Sequence, residues 1–233
     1  MRDQLPGAVG VSKLRVYDTA APDGLPGGTP HLHLCCTEAY VVVAGAGVAQ
    51  TLSGQDGFAE HNLRPGTVLW FTPGTIHRLV NHGGLEIVVL MGNSGLPEAG
   101  DAVLTFPLDI VRDRRRYAEA VTLPGGGAPG ADITAAHRRR DLAVQGFHEL
   151  RDGDRLADFY SAAVRLKQPS LADWRRRWER GAHAAAVRTG RQIAALADGD
   201  PAHLRESRVS GRPVPDERGR LGMCGLLDTY RSD

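Results

Sequence analysis

The sequence lacks long hydrophobic runs, and it carries no large excess of charge of either sign. No stretch of about 18 apolar side chains occurs in its 233 residues, so we expect no membrane-spanning helix. The formal net charge is only +1, from 28 basic and 27 acidic residues. This balance gives no overall electrostatic attraction to nucleic acid or to an anionic membrane, and we expect neither as a partner.

The sequence also shows no disulfide framework, and we expect no secretory leader. The three cysteines are Cys35, Cys36 and Cys224, and two adjacent cysteines cannot readily bridge to each other. The N-terminus does not combine a basic start, an apolar segment and a small-residue cleavage site. These absences predict a cytoplasmic protein with free thiols. Arginine outnumbers lysine, and alanine and glycine are abundant, a composition typical of bacteria with GC-rich genomes.

Short apolar runs separated by turn residues occupy much of residues 9–106. Several strands at such close spacing predict a β-sandwich or barrel. The glycine-containing stretches 45–47, 54–57 and 82–84 are predicted hairpin turns. A short amphipathic helix is predicted over 108–120.

The period of the apolar residues changes after the Gly/Pro-rich stretch LPGGGAPGAD, the clearest linker in the chain. Beyond it, apolar side chains recur every three or four positions, which predicts helices over 141–150, 155–167 and 170–196. The final apolar patch, LGMCGLLDTY, is predicted to dock onto the body. The predicted organisation is a β-barrel with a short following helix at 1–122, a linker at 123–140, and a helical extension and tail at 141–233.

Four residues have the types and the spacing of ligands to a single metal ion. Side chains alternate faces along a strand, so His31 and His33 point the same way, about 6.6 Å apart. Glu38 has the opposite parity and can join them only if the chain bends near residues 35–37. His77 follows in a second strand-like segment, past a Pro-Gly turn. Three neutral imidazoles and one carboxylate suit one divalent transition metal, Fe, Mn, Ni, Co, Cu or Zn, with positions left open for substrate or dioxygen.

These two segments resemble the paired motifs of the cupin superfamily, G(X)5HXH(X)3,4E(X)6G and G(X)5PXG(X)2H(X)3N. The matching residues are His31, His33, Glu38 and Gly45 in the first motif and Gly66, Gly74, His77 and Asn81 in the second. Leu25 replaces the leading glycine and Thr72 replaces the motif proline, and neither departure removes a ligand. The resemblance covers about residues 9–106. It implies a mainly β fold, a single double-stranded β-helix barrel with the metal inside its mouth, followed here by an α-helical C-terminal region.

Fold alone does not select a reaction, because proteins that share a fold differ in chemistry. A cation in this site could bind an oxygenated substrate together with dioxygen, or act as a Lewis acid on a carbonyl group. The sequence slightly favours the first, a dioxygenase-like oxidoreductase that acts on a small molecule. A sugar or carbonyl-compound isomerase or epimerase is the alternative, and a non-enzymatic metal- or ligand-binding cupin is a second. Cupins often pair through their strands, so we expect a homodimer.

Two further residues are candidates for acid–base chemistry. Tyr40 has the same strand parity as Glu38 and could point into the barrel as a proton donor, or its hydroxyl could be tied to the backbone. His61 lies in the strand-like stretch AEHNL and could face solvent or act as an acid or base. The arginine runs at 114–116, 138–140 and 175–177 are interleaved with acids and are interpreted as solvated faces.

Overall fold

The computed structural model describes residues 5–230, and its centre is one antiparallel sheet of nine strands. The strands are β1 (Gly10–Val16), β2 (His31–His33), β3 (Glu38–Ser53), β4 (Gly57–Leu63), β5 (Val68–Phe71), β6 (Ile76–Met91), β7 (Ala102–Leu104), β8 (Glu217–Leu221) and β9 (Gly225–Tyr230). The helices are α1 (Leu108–Val111), α2 (Arg114–Val121), α3 (Ile133–Asp152), α4 (Leu156–Lys167), α5 (Leu171–Trp178) and α6 (Ala184–Ala197). The expected β-barrel followed by a helical region is confirmed.

The two longest strands, β3 and β6, pair along their whole length and each contributes to both halves of the barrel. The first part of β3 and the second part of β6 join β5, β1, β9 and β8. The other parts of the same two strands join β4, β2 and β7. The interior between the halves is apolar, with Leu14, Leu79 and Ile87 in its core.

The glycines that predicted two hairpin turns instead bend β3 and β6 where these strands cross. The register between the strands shifts between Val42 and Gly47, and residues 82–84 lie opposite, inside β6. Gly45 has a φ of 70°, and a Cβ there would lie 2.2 Å from the backbone of Gly84. The predicted turns at 45–47 and 82–84 are therefore wrong, because the paired glycines allow a shared bend rather than a chain reversal. The third predicted turn does connect β3 to β4.

Helices α1 to α4 pack on the outside of the β2-containing half, in a second apolar core. Leu32 and Ile76 point outward from the sheet and meet Phe147 of α3 and Phe159 of α4. Helix α3 begins at Ile133, within the predicted linker, because Asp132 caps its first turn by accepting a hydrogen bond from the Thr134 amide. The linker therefore ends earlier than predicted.

The remaining helical expectations differ in detail. The single helix predicted over 108–120 is divided into α1 and α2, and Asp113 caps the second by accepting from two backbone amides. The long helix predicted over 170–196 is interrupted by a π-helical turn at Glu179–His183. The final apolar patch docks as predicted, since β9 pairs with β1 and extends the barrel sheet. In the part of the chain that the structure describes, no helix combines the length and apolar character needed to cross a membrane.

Candidate metal centre

The four predicted ligands come together inside the barrel. One ligand atom from each of His31, His33, Glu38 and His77 lies within 4.8 Å of the others, and all four side chains are buried. His31 of β2 and His77 of β6 are direct partners across the sheet, so their rings point to the same side. The chain bends after His33, between β2 and β3, and this bend lets Glu38 face the same point despite its opposite parity.

The Nδ1 atom of each imidazole lies next to a hydrogen-bond acceptor. His31 Nδ1 is 2.8 Å from the Thr29 carbonyl oxygen, and His77 Nδ1 is 3.1 Å from the Thr75 carbonyl oxygen. His33 Nδ1 is 2.7 Å from Oδ1 of Asp101. An acceptor next to Nδ1 requires that this nitrogen carries the proton, so in the neutral ring Nε2 presents a lone pair. In their neutral forms, all three rings thus direct Nε2 lone pairs toward the centre of the cluster.

The separations within the cluster fit one metal ion. The Nε2 atoms of His31 and His77 are 3.1 Å apart, and Oε2 of Glu38 lies 3.0 Å from His77 Nε2 and 3.4 Å from His33 Nε2. Two nitrogens about 2.0–2.1 Å from one metal are separated by about 2.9 Å in octahedral and about 3.3 Å in tetrahedral coordination. Oε2 of Glu38 is buried and makes no hydrogen bond of good geometry. Converging lone pairs around an orphaned carboxylate oxygen repel one another unless a cation lies between them.

The electrostatics of the cluster reflect its burial and its internal contacts. Burial, reinforced by the neighbouring His77 and His33, holds the pKa of His31 well below its usual value. Burial also lowers the pKa of His33, but the hydrogen bond to Asp101 and the charge of Glu38 outweigh it and raise that pKa overall. For Glu38, burial raises the pKa, yet the three histidines outweigh it and bring the pKa down to about 2. The carboxylate is therefore ionised at neutral pH.

Three members of the cluster, His31, His33 and Glu38, line a cavity of about 620 Å³ in the barrel. Tyr40 also lines this cavity, and its hydroxyl is buried without a hydrogen bond of good geometry. Burial and the nearby Glu38 raise the pKa of Tyr40 well above its usual value, so the phenol keeps its proton. The other walls are largely apolar and include Leu14, Val89 and Met223.

The structure does not bring His61 to the cavity. His61 lies on β4, directly opposite Ala49 of β3, and its Nε2 is 3.0 Å from Oγ1 of Thr51. Thr51 is in turn the cross-strand partner of His77. His61 thus contacts a neighbour of a ligand and does not line the cavity itself.

Sequence reasoning missed two contributors to this site. Asp101, fully buried just before β7, holds His33 and also accepts from the Cys35 amide. No ligand-like spacing marks this aspartate in the sequence, so no local signal points to it. The β8–β9 hairpin supplies Met223, Cys224 and other cavity residues. The patch was predicted to dock onto the body, but nothing local in it indicates the pairing that brings these residues to the cavity.

No protein-family model and no curated protein matches this chain. Among solved structures, it is similar to CapF bound to the inhibitor 3-isopropenyl-tropolone, with 22% identity over 44% of this chain and 29% of CapF, at a TM-score of 0.32. It is also similar to a variant of Streptomyces PAC13 with uridine, with 16% identity over 43% of this chain and 70% of PAC13, at a TM-score of 0.33. A third is WlaRA, a TDP-fucose-3,4-ketoisomerase from Campylobacter jejuni, with 12% identity over 39% of this chain and 64% of WlaRA, at a TM-score of 0.32. The chain thus spans less than one third of the CapF chain that it matches.

Proposed function

We propose that this protein is a metal-dependent enzyme of the cupin superfamily that isomerises or epimerises a small hydroxy-carbonyl compound. The observation that carries the proposal is the convergence of three Nε2 atoms and the Glu38 carboxylate on one point beside the barrel cavity. His31, His33, Glu38 and His77 would hold one divalent transition metal. When bound, such an ion supplies Lewis acidity to a carbonyl or hydroxyl oxygen.

The protein groups around this point would have three different roles: proton donation, orientation of the rings and exclusion of water. The buried Tyr40 hydroxyl lies beside the Glu38 carboxylate without a hydrogen bond of good geometry, so it can donate to a substrate oxygen as charge develops there. The Thr29, Thr75 and Asp101 acceptors hold the three rings in the orientation that directs Nε2 inward. The apolar walls limit water around the reacting group, which strengthens these electrostatic interactions.

Dioxygen-dependent oxidation by an iron form is the second candidate, because the same ligand set leaves positions for substrate and dioxygen. The sequence slightly favours this reaction, whereas the cavity adds a proton donor that isomerisation requires and oxidation by dioxygen does not. A non-enzymatic binding role is the third candidate. A homodimer and a cytoplasmic location stay predictions.

Metal analysis of protein purified without a chelator or a histidine tag tests the proposal. We expect about one transition-metal ion per chain, and loss of nearly all of it in His77→Ala. His82→Ala is the matched control, because His82 is exposed and outside the cluster, and it should keep the metal. A wild-type chain that holds no metal after reconstitution, or a His77→Ala variant that holds as much as wild type, contradicts the proposal.

The reaction class is tested on the metal-loaded protein with small aldoses, ketoses and their deoxy forms. Isomerisation predicts incorporation of solvent deuterium into the substrate carbon under anaerobic conditions, and a loss of about 100-fold in kcat in Tyr40→Phe. Substrate-dependent oxygen uptake by the iron form, without deuterium incorporation, would instead select the oxidoreductase.

A further inference from the structure

A row of mostly polar side chains crosses the inner face of the barrel from the metal centre to the C-terminal hairpin. Tyr40 lies opposite Val89, Val89 opposite Ser12, Ser12 opposite Thr229, and Thr229 opposite Glu217. Directly opposed residues of antiparallel strands share a face, and all five residues line the cavity. We call Tyr40, Ser12, Thr229 and Glu217 the polar row.

The hydroxyls of the polar row are available to a ligand. Among the described residues, neither Ser12 nor Thr229 forms a side-chain hydrogen bond, and the Tyr40 hydroxyl is buried without a good partner. Val89, which lies between Tyr40 and Ser12 on the same face, is apolar. A hydroxyl can both donate and accept a hydrogen bond, so these side chains are suited to bind the hydroxyl groups of a ligand.

The far end of the polar row is charged but already paired. Nη1 of Arg220 lies 3.2 Å from both carboxylate oxygens of Glu217, and Nη2 donates to the Gly126 carbonyl oxygen at 2.7 Å. Arg220 is the one lysine or arginine among the described residues that line the cavity, whereas Glu38, Glu98 and Glu217 all line it. An anionic substrate would find no free cationic side chain on these walls.

The length of the polar row sets the size of the ligand. Tyr40 and Glu217 are separated by four strand spacings, about 19 Å along the curved sheet. One sugar ring covers less than half of this path, and the cavity of about 620 Å³ lies in the range that encloses a ligand of drug size. The site therefore suits one to two sugar units.

We propose that the polar row binds a neutral, polyhydroxylated substrate of one to two sugar units, and that the β8–β9 hairpin determines this specificity. The inference rests on the proposed function, which places the reacting end of the substrate at the metal centre. Ser12 and Thr229 would bind hydroxyls in the middle of the substrate, and the Glu217 carboxylate would accept from hydroxyls at the far end. The hairpin is held for this task by Tyr17, whose hydroxyl donates to the Gly222 carbonyl oxygen at 3.1 Å.

Titration calorimetry of the metal-loaded, 233-residue chain tests the inference with named probes. The neutral probes are glucose, galactose, fucose, maltose and cellobiose, and the anionic probes are glucose 6-phosphate and glucuronate. We expect at least one neutral sugar to bind at millimolar concentration or below, and more tightly than its anionic counterpart. Thr229→Val, which removes one hydroxyl at nearly constant shape, should weaken that binding about three- to tenfold.

Two control variants separate recognition from damage to the fold. Thr229→Ser keeps the hydroxyl and should bind as wild type does, and Thr189→Val, on the exposed surface of α6, should change nothing. Absence of binding by every neutral sugar, tighter binding of the anionic probes, or unchanged affinity in Thr229→Val would overturn the inference. The metal content of each sample, measured in parallel, distinguishes this failure from failure of the metal centre. If the protein holds no metal, sugar binding that depends on Thr229 still supports the polar row, and its absence overturns both proposals.

Discussion

Two adjacent residues of β6, His77 and Arg78, point to opposite faces of the sheet and take part in two different buried polar clusters. His77 faces inward, where three imidazoles and the Glu38 carboxylate surround one point. Arg78 faces outward, beneath α3, where its guanidinium pairs with Asp23 through two nitrogens. Nε2 of His148, from α3, lies 3.1 Å from the same aspartate.

The difference between the clusters lies in where the positive charge comes from. The outer cluster contains its own cation, since Arg78 is fully buried against a carboxylate with matching fork geometry. In the inner cluster, the neutral rings and the Glu38 carboxylate present only acceptor atoms to one another once the Nδ1 protons are engaged. Buried acceptors that face one another are unfavourable in isolation, so under the proposed function the inner cluster would take its cation from solution. The outer cluster needs no such ion.

The largest expected effect comes from breaking the outer cluster. In Arg78→Ala, the Asp23 carboxylate loses its partner next to the helix interface, and we expect the free energy of unfolding to fall by about 3 kcal/mol. Urea denaturation at neutral pH measures this change. The metal content should not change, because Arg78 lies on the opposite face of β6 from His77.

The double variant Arg78→Met with Asp23→Leu is the control for this prediction. It removes both charges and fills the space with apolar groups, so it should recover much of the lost stability. A loss below about 1 kcal/mol in Arg78→Ala, or a loss of metal from a folded Arg78→Ala protein, would contradict the division between the two clusters.

A smaller effect is expected where the inner cluster depends on a neighbouring carboxylate. Asp101 accepts from His33 Nδ1 at 2.7 Å and is fully buried. Asp101→Ala removes the group that orients this ring, and metal affinity should fall about 10- to 100-fold, as measured by competition with a chromophoric chelator. Asp101→Asn should have an intermediate metal affinity, because its amide oxygen still accepts the hydrogen bond from His33 Nδ1 but carries no charge.

Asp109→Ala is the matched control, since this exposed aspartate of α1 pairs with Arg116 far from the ligands. It should leave metal affinity unchanged. Equal metal affinity in Asp101→Ala and wild type would show that His33 is held in place without its carboxylate partner.

The four candidate ligands could be predicted from sequence because their geometry is set locally. The alternation of side chains along β2 places His31 and His33 on one face, and the need for a bend before Glu38 followed from parity alone. The same local rule misjudged the glycines at 45 and 84, because a bend shared by two paired strands depends on the partner strand. The local sequence shows that a segment can turn or bend, and the pairing with another strand determines which of the two it does.

The rest of the site depends on contacts between residues far apart in the chain. Thr229 joins the cavity because β9 pairs with β1, more than 200 residues earlier, and no local pattern encodes that register. Asp101 reaches His33 across a loop of no regular structure. His61 illustrates the opposite error. Its strand-like surroundings made it a candidate for the site, but a local pattern does not reveal that its strand, β4, lies at the edge of the sheet.

The smallest expected effect is the pH dependence of the outer cluster. Burial alone would raise the pKa of Asp23, but the hydrogen bond and the charge of Arg78 outweigh it and lower that pKa from 3.8 to about 2. A lowered carboxyl pKa stabilises the fold above the unfolded-state value near 4, and this contribution disappears as the pH falls from about 4 toward 2. The shift corresponds to at most about 2.4 kcal/mol, and we expect about 1 kcal/mol because one edge of the carboxylate reaches solvent. The difference in free energy of unfolding between wild type and Asp23→Asn should therefore shrink by about this amount between pH 5 and pH 2. Glu38 titrates in both proteins, so its contribution cancels from the comparison. A difference that stays constant over this range would show that Asp23 and Arg78 do not form the coupled pair that distinguishes the outer cluster from the inner one.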